Sequence, residues 1–103
     1  MSKFAVAMEI KNQLGNEALM LMGAYHLAAD EKTLSFKIKG CRKIKHISIA
    51  LNSMDTYDVK FTTWRKYDVK VVAELPNIYN DQLHEVIERQ TGLYLSLVPK
   101  ASG

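Results

Sequence analysis

From Leu34 to Leu75 the chain alternates apolar and polar residues in three successive pieces, LSFKIK, HISIALNSMDTYDVKF and DVKVVAEL. Successive side chains leave a strand on opposite sides, so period two is what a strand needs to bury one face and wet the other. The gaps between the pieces hold Asn, Ser, Asp or basic residues, which suit turns. The pattern predicts an antiparallel sheet with one solvent-facing side. Its inward rows read as Leu34, Phe36 and Ile38; Ile47, Ile49 and Leu51; Tyr57, Val59 and Phe61; and Val69, Val71, Ala73 and Leu75. Its outward row reads as Ser35, Lys37, Lys39, His46, Ser48, Asp58, Lys60, Thr62, Lys70, Val72 and Glu74.

Helices are expected on either side of this block. Ser2 to Leu14 has a serine N-cap and apolar positions at helical spacing, and Gly15-Asn16 supplies a stop. Glu17 to Leu27 is a nearly continuous apolar run that periodicity alone assigns to neither helix nor strand. It is read here as a strand, with residues 28–33 connecting it to the next. Pro76-Asn77 ends the last long strand, and Asn80 with Asp81 opens a helix. In that helix Leu83, Val86 and Ile87 turn toward the sheet, Glu85 pairs with Arg89, and Gly92 terminates it. LYLSLV adds a short edge strand or packs down, and residues 99–103 form a flexible tail. The expected architecture is α+β, with an antiparallel sheet of about four to five strands and an N-terminal and a C-terminal helix packed on one face. Residues 1–98 read as a single domain.

Several function classes lack their signature. Cys41 is the only cysteine, which excludes an intrachain disulfide and a cysteine-based zinc site and fits a cytoplasmic setting. His26, His46 and His84 show no ligand spacing, so neither a metal nor a cofactor is expected. His84 reads instead as a helix-surface partner for Glu88. Asp55 and Asp58 could act as an acid–base pair but serve better as turn formers. Cys41 lies near Arg42, Lys43 and Lys45 without an identifiable base. Gly-rich phosphate loops, G-x-S-x-G and H-E-x-x-H are missing. The N-terminal MSKFAVAMEIKNQ reads as helix rather than signal peptide, and no apolar run reaches the roughly 20 residues of a membrane span. A non-enzymatic, non-membrane protein is expected.

Two surfaces remain as binding candidates. The first is the turn Trp64, Arg65, Lys66 and Tyr67, where exposed aromatics beside cations would suit a protein partner. The second is the basic set Lys37, Lys39, Arg42, Lys43, Lys45, Lys60 and Lys70, which could face nucleic-acid phosphates. Single-strand binders add exposed stacking aromatics. Phe36, Tyr57 and Phe61 fall on the inward phase, and Tyr25, Tyr79 and Tyr94 could line a partner groove but read more readily as core-edge rings. The net charge of +3 is modest. Protein binding therefore ranks first and nucleic-acid binding second, as a monomer or as a homodimer through an exposed edge strand.

One pattern resembles a known group of proteins. A DTYDV hairpin (Asp55 to Val59), K-V-V (Lys70 to Val72), a tyrosine before D-Q-L (Tyr79, then Asp81 to Leu83) and T-G-L-Y (Thr91 to Tyr94) occur in order. Together with LGNEALMLMGAYHLAADEKTLSFKIKG they resemble an uncharacterised family of short phage, prophage and mobile-element proteins. The chain departs from that pattern around Arg65 to Asp68, where the family carries Gly-containing or longer loops. The resemblance implies a small accessory protein in a bacterial host cell that acts by stoichiometric binding. Inhibition of a defence complex, as by an anti-CRISPR, or the handling of viral nucleic acid would fit.

Overall fold

The computed structural model describes residues 5–93. Two helices, α1 (Ala5–Leu14) and α2 (Asn16–Met22), precede five strands: β1 (Tyr25–Ala29), β2 (Thr33–Lys37), β3 (His46–Leu51), β4 (Tyr57–Arg65) and β5 (Asp68–Ile78). A 3-10 turn at Asn80–Gln82 leads into α3 (Leu83–Thr91). The strands form one antiparallel meander in sequence order, β1-β2-β3-β4-β5. The class is the expected α+β, with a third helix added. The expected LYLSLV strand beyond its first residue, Leu93, and the tail at 99–103 lie outside the described residues.

The added helix corrects the reading of Glu17 to Leu27 as one strand. The run is divided at Gly23, whose φ of 67° stops α2 in a left-handed cap. There the amide of Ala24 donates to the carbonyl of Leu19 at 2.9 Å. Upstream of Gly23 the Glu, Ala, Leu and Met residues are strong helix formers, and downstream Tyr25 begins β1.

The core lies on one face of the sheet. Phe36, Ile47, Ile49, Val59 and Phe61 are fully buried against Ile10 and Leu14 of α1, Met22 of α2, and Leu83 and Ile87 of α3. Buried side chains of this size each contribute about 1.5–3 kcal/mol relative to exposure. Glu85 and Arg89 form the expected i,i+4 pair at 2.9 Å, and Gly92 caps α3 with φ 74°. His84 also reaches beyond its own helix: its Nε2 donates to the carbonyl of Leu14 at 2.7 Å and ties α3 to the end of α1.

One expected row is corrected. Phe61 pairs with Ala73, yet the next residue, Thr62, pairs with Val71. The extra residue, Val72, is a β-bulge, and it reverses the phase of the strand. Ala73 and Leu75 face the core opposite Phe61 and Val59, whereas Val69 and Val71 share the outer face with Trp64 and Thr62. Val69 is accordingly 74% and Val71 49% exposed. The same shift moves Lys70 off the outer row, because it pairs with Thr63. Pro76-Asn77 does not end β5. It forms a second irregularity, with Asn77 at φ 58°, and the strand continues to Ile78.

Candidate functional site

Nine of the fourteen lysines and arginines lie from Lys37 to Lys70, against three carboxylates, Asp55, Asp58 and Asp68. The topology gathers most of those cations at one end of the sheet. Two segments do this: the loop between β2 and β3, residues 38–45, and the β4–β5 hairpin at Arg65–Asp68.

The loop is held firmly by its backbone and by two inward side chains. The amide of Gly40 donates to the carbonyl of Met22 at 3.0 Å. A Cβ on Gly40 would sit 3.1 Å from that same carbonyl oxygen and 3.1 Å from Leu93, so the close approach suits glycine. Cys41 Sγ donates to the carbonyl of Thr91 at 3.4 Å, joining the loop to the end of α3. Ile44 is fully buried in the core. The amide of Lys45 donates to the carbonyl of Thr62 at 3.0 Å. Arg42 and Lys43, between these anchors, are exposed.

Trp64 is half-buried on β4 and is the hub of the site. Lys45 Nζ donates to its carbonyl oxygen at 3.0 Å and lies 5.8 Å from the ring centre. Lys37 Nζ lies 5.5 Å from the same ring. From the loop between β2 and β3, Lys39 Nζ stands 5.0 Å from the ring centre of Tyr25 on β1. Such cation–π contacts are worth about 0.5–1 kcal/mol at exposed sites, enough to bias where a long side chain places its ammonium group.

Two hollows meet at Trp64. One, of about 650 Å³, is lined by Arg42, Lys43, Lys45, Arg65 and Lys70 with Thr63, Asp68 and Val72. The other, of about 400 Å³, lies between Tyr25 and Trp64 and is lined by Lys39, Arg42 and Lys45 with Ile38 and Cys41. Arg42, Lys45 and Trp64 belong to both, so the hollows form one track. Among the described residues the recorded ion pair is Arg89–Glu85 on α3, and no carboxylate reaches ion-pair distance of the track's cations.

The sheet's outer face adds a row across all five strands: Tyr25, Lys37, His46, Thr62 and Val71 are successive cross-strand partners. Burial holds the His46 pKa below its ordinary value of 6.5, and the neighbouring charges of Lys37 and Lys60 add to that effect.

The two candidate surfaces therefore merge in part. Trp64 and Arg65 from the turn join Lys39, Arg42, Lys43, Lys45 and Lys70 from the basic set, and Lys37 stands over Trp64. Lys60 pairs with Glu74 farther along the sheet, and Lys66 and Tyr67 project at the hairpin tip, where Lys66 has φ 56° and Tyr67 is 100% exposed. Tyr25 ranked as a core-edge ring in the sequence, because the ambiguity of Glu17 to Leu27 hid which face it takes, and the structure sets it in the wall of the second hollow.

Asp55 and Asp58 do not converge with His46, the histidine of the neighbouring strand, into an acid–base site. Asp58 pairs with Ala50 and His46 with Thr62, four residues apart along β4, which is roughly 14 Å of strand. Asp58 Oδ1 instead accepts from Asn52 Nδ2 at 3.0 Å and from the amide of Asn77 at 3.2 Å. Asp55 occupies the turn with φ 62°. Among the described residues no group of three His, Cys, Asp or Glu could hold a metal ion, and no helix is long and apolar enough to cross a membrane. No family model, curated protein or solved structure matches the chain.

Proposed function

We propose that the protein binds nucleic acid along the track that runs from Tyr25 past Trp64 to Lys70. The observation that carries this reading is the sharing of Arg42, Lys45 and Trp64 by two adjoining hollows, whose cations have no carboxylate within pairing distance among the described residues. Unpaired cations gathered on anchored backbone attract phosphates at little ordering cost, and releasing the polymer's counterions supplies the driving force. The modest net charge does not oppose this, because binding responds to the local field of the patch. The role that fits is stoichiometric binding in a bacterial host cell, in keeping with the resemblance to phage and mobile-element proteins. Fluorescence anisotropy with labelled oligonucleotides at low salt tests it. Wild-type protein is expected to bind at micromolar concentration or below, and R42E/K43E/R65E is expected to lose that binding while keeping its fold.

A second reading, contact with a protein partner, is favoured by one observation. Tyr67, Val69 and Val71 present apolar surface at the tip and outer side of the β4–β5 hairpin, at 100%, 74% and 49% exposure. Capture of a host protein that survives nuclease treatment and is lost in Y67A/V69K would favour this reading over the first.

A further inference from the structure

We infer that the hollow between Tyr25 and Trp64 receives an unpaired nucleobase, so that the polymer held along the track is single-stranded. This rests on the nucleic-acid reading above and adds the state of the strand. Tyr25 stands on β1 and Trp64 on β4, yet both line the same depression with Lys39, Arg42 and Lys45. A volume of about 400 Å³ falls within the range of small-ligand sites. The chemistry of its wall is two aromatic rings among cations, and the ligand that matches it has a flat π-face joined to an anion.

A duplex offers phosphates to such a wall but keeps its base faces stacked inside, whereas a single strand offers both. The rings already carry ammonium groups, Lys39 over Tyr25 and Lys37 and Lys45 near Trp64. A base stacked on an aromatic ring is worth more than an exposed ammonium over the same ring, so the base displaces it. Each lysine has a flexible four-carbon stem, and its ammonium can swing onto the flanking phosphate as the base enters. Arg42 and Lys45, common to both hollows, then meet the next phosphate along the track.

Trp64 is the only tryptophan, so its fluorescence reports on this hollow directly. The intact protein is titrated at low salt with oligothymidylate, oligouridylate, a mixed-sequence duplex of equal length and inorganic polyphosphate. Both single strands are expected to quench Trp64. The duplex is expected to bind about tenfold or more weakly, and polyphosphate to bind with little quenching. Tyr25→Ala is expected to weaken single-strand binding about tenfold, with polyphosphate affinity unchanged and Tyr25→Phe close to wild type. Equal affinity for duplex and single strand, or a Tyr25→Ala variant that binds single strands like wild type, would overturn this inference and leave the track reading standing. Failure of every polyanion to bind would overturn both.

Discussion

Lys45 donates from Nζ to the carbonyl oxygen of Trp64 at 3.0 Å while its ammonium stands 5.8 Å from the indole centre. A single side chain thus fastens the basic loop to β4 and places a charge at the junction of the two hollows. Removing it should do more than subtract one cation. Lys45→Ala is expected to weaken oligonucleotide binding more than Lys43→Ala, whose side chain is an exposed member of the same wall. For Lys43→Ala the salt slope should shrink by about 0.7, the value for one phosphate contact on a single strand. Anisotropy titrations across a salt series separate the two effects.

The core at the loop's base should control binding indirectly. Ile44 is fully buried, and truncation of a buried isoleucine costs about 2–5 kcal/mol. Ile44→Val, which removes one methylene, is expected to cost about 0.5–1.5 kcal/mol in urea unfolding and to leave affinity nearly unchanged. Ile44→Ala should lower both stability and affinity, because Arg42 and Lys43 lose the anchor between them and β3.

The β3–β4 turn is expected to be a stability element. Asn52 Oδ1 accepts from the amides of Met54 and Thr56 and from Thr56 Oγ1, and its Nδ2 donates to Asp58 and Asn77. Asn52→Ala strips this network and should cost about 1–3 kcal/mol, measured by chemical denaturation. Oligonucleotide affinity under folding conditions should not change, because the track lies at the other end of the strands.

His46 gives a pH dependence of defined sign. Its folded-state pKa lies below 6.5, so the unfolded chain binds the extra proton first as pH falls. Stability from this group is therefore complete above pH 6.5 and is lost as pH drops from there to the folded-state value. His46→Gln should flatten that part of the curve. A phosphate bound beside Lys37, the cross-strand partner of His46, favours protonated His46, so affinity should rise as pH falls over the same interval in wild type and not in the variant.

The outer position of Val71 follows from the bulge at Val72. Val71→Lys is expected to change stability by less than about 1 kcal/mol, as surface substitutions do. Val59→Ala, on the buried side of β4, should cost about 2 kcal/mol or more. Thermal unfolding of the two variants checks the assignment of faces.

That bulge marks where the fold stops being legible in the amino-acid pattern. Alternation gives the faces of β2, β3 and the first half of β4 correctly because each keeps a period of two there, which in β4 lasts until Phe61 and Thr62 are buried in succession. In β5 one inserted residue reverses the faces, and VKVVAEL carries no turn residue to announce it. The helix–strand ambiguity of Glu17 to Leu27 arose because both elements are apolar there. Gly23, inside the run, was the signal that divides it. The site was legible as a list of cations and as an aromatic turn, but their meeting depends on loop anchors contributed by α2, α3 and the core. Tyr25 reached the track only through its pairing with Lys37.

The salt dependence of oligonucleotide binding by the wild-type protein tests the central claim most directly. With five cations lining the larger hollow, log K should fall with log salt at a slope of about −3 to −4 for a single strand. A slope near zero, or no binding at low salt, would contradict the assignment of this surface to nucleic acid.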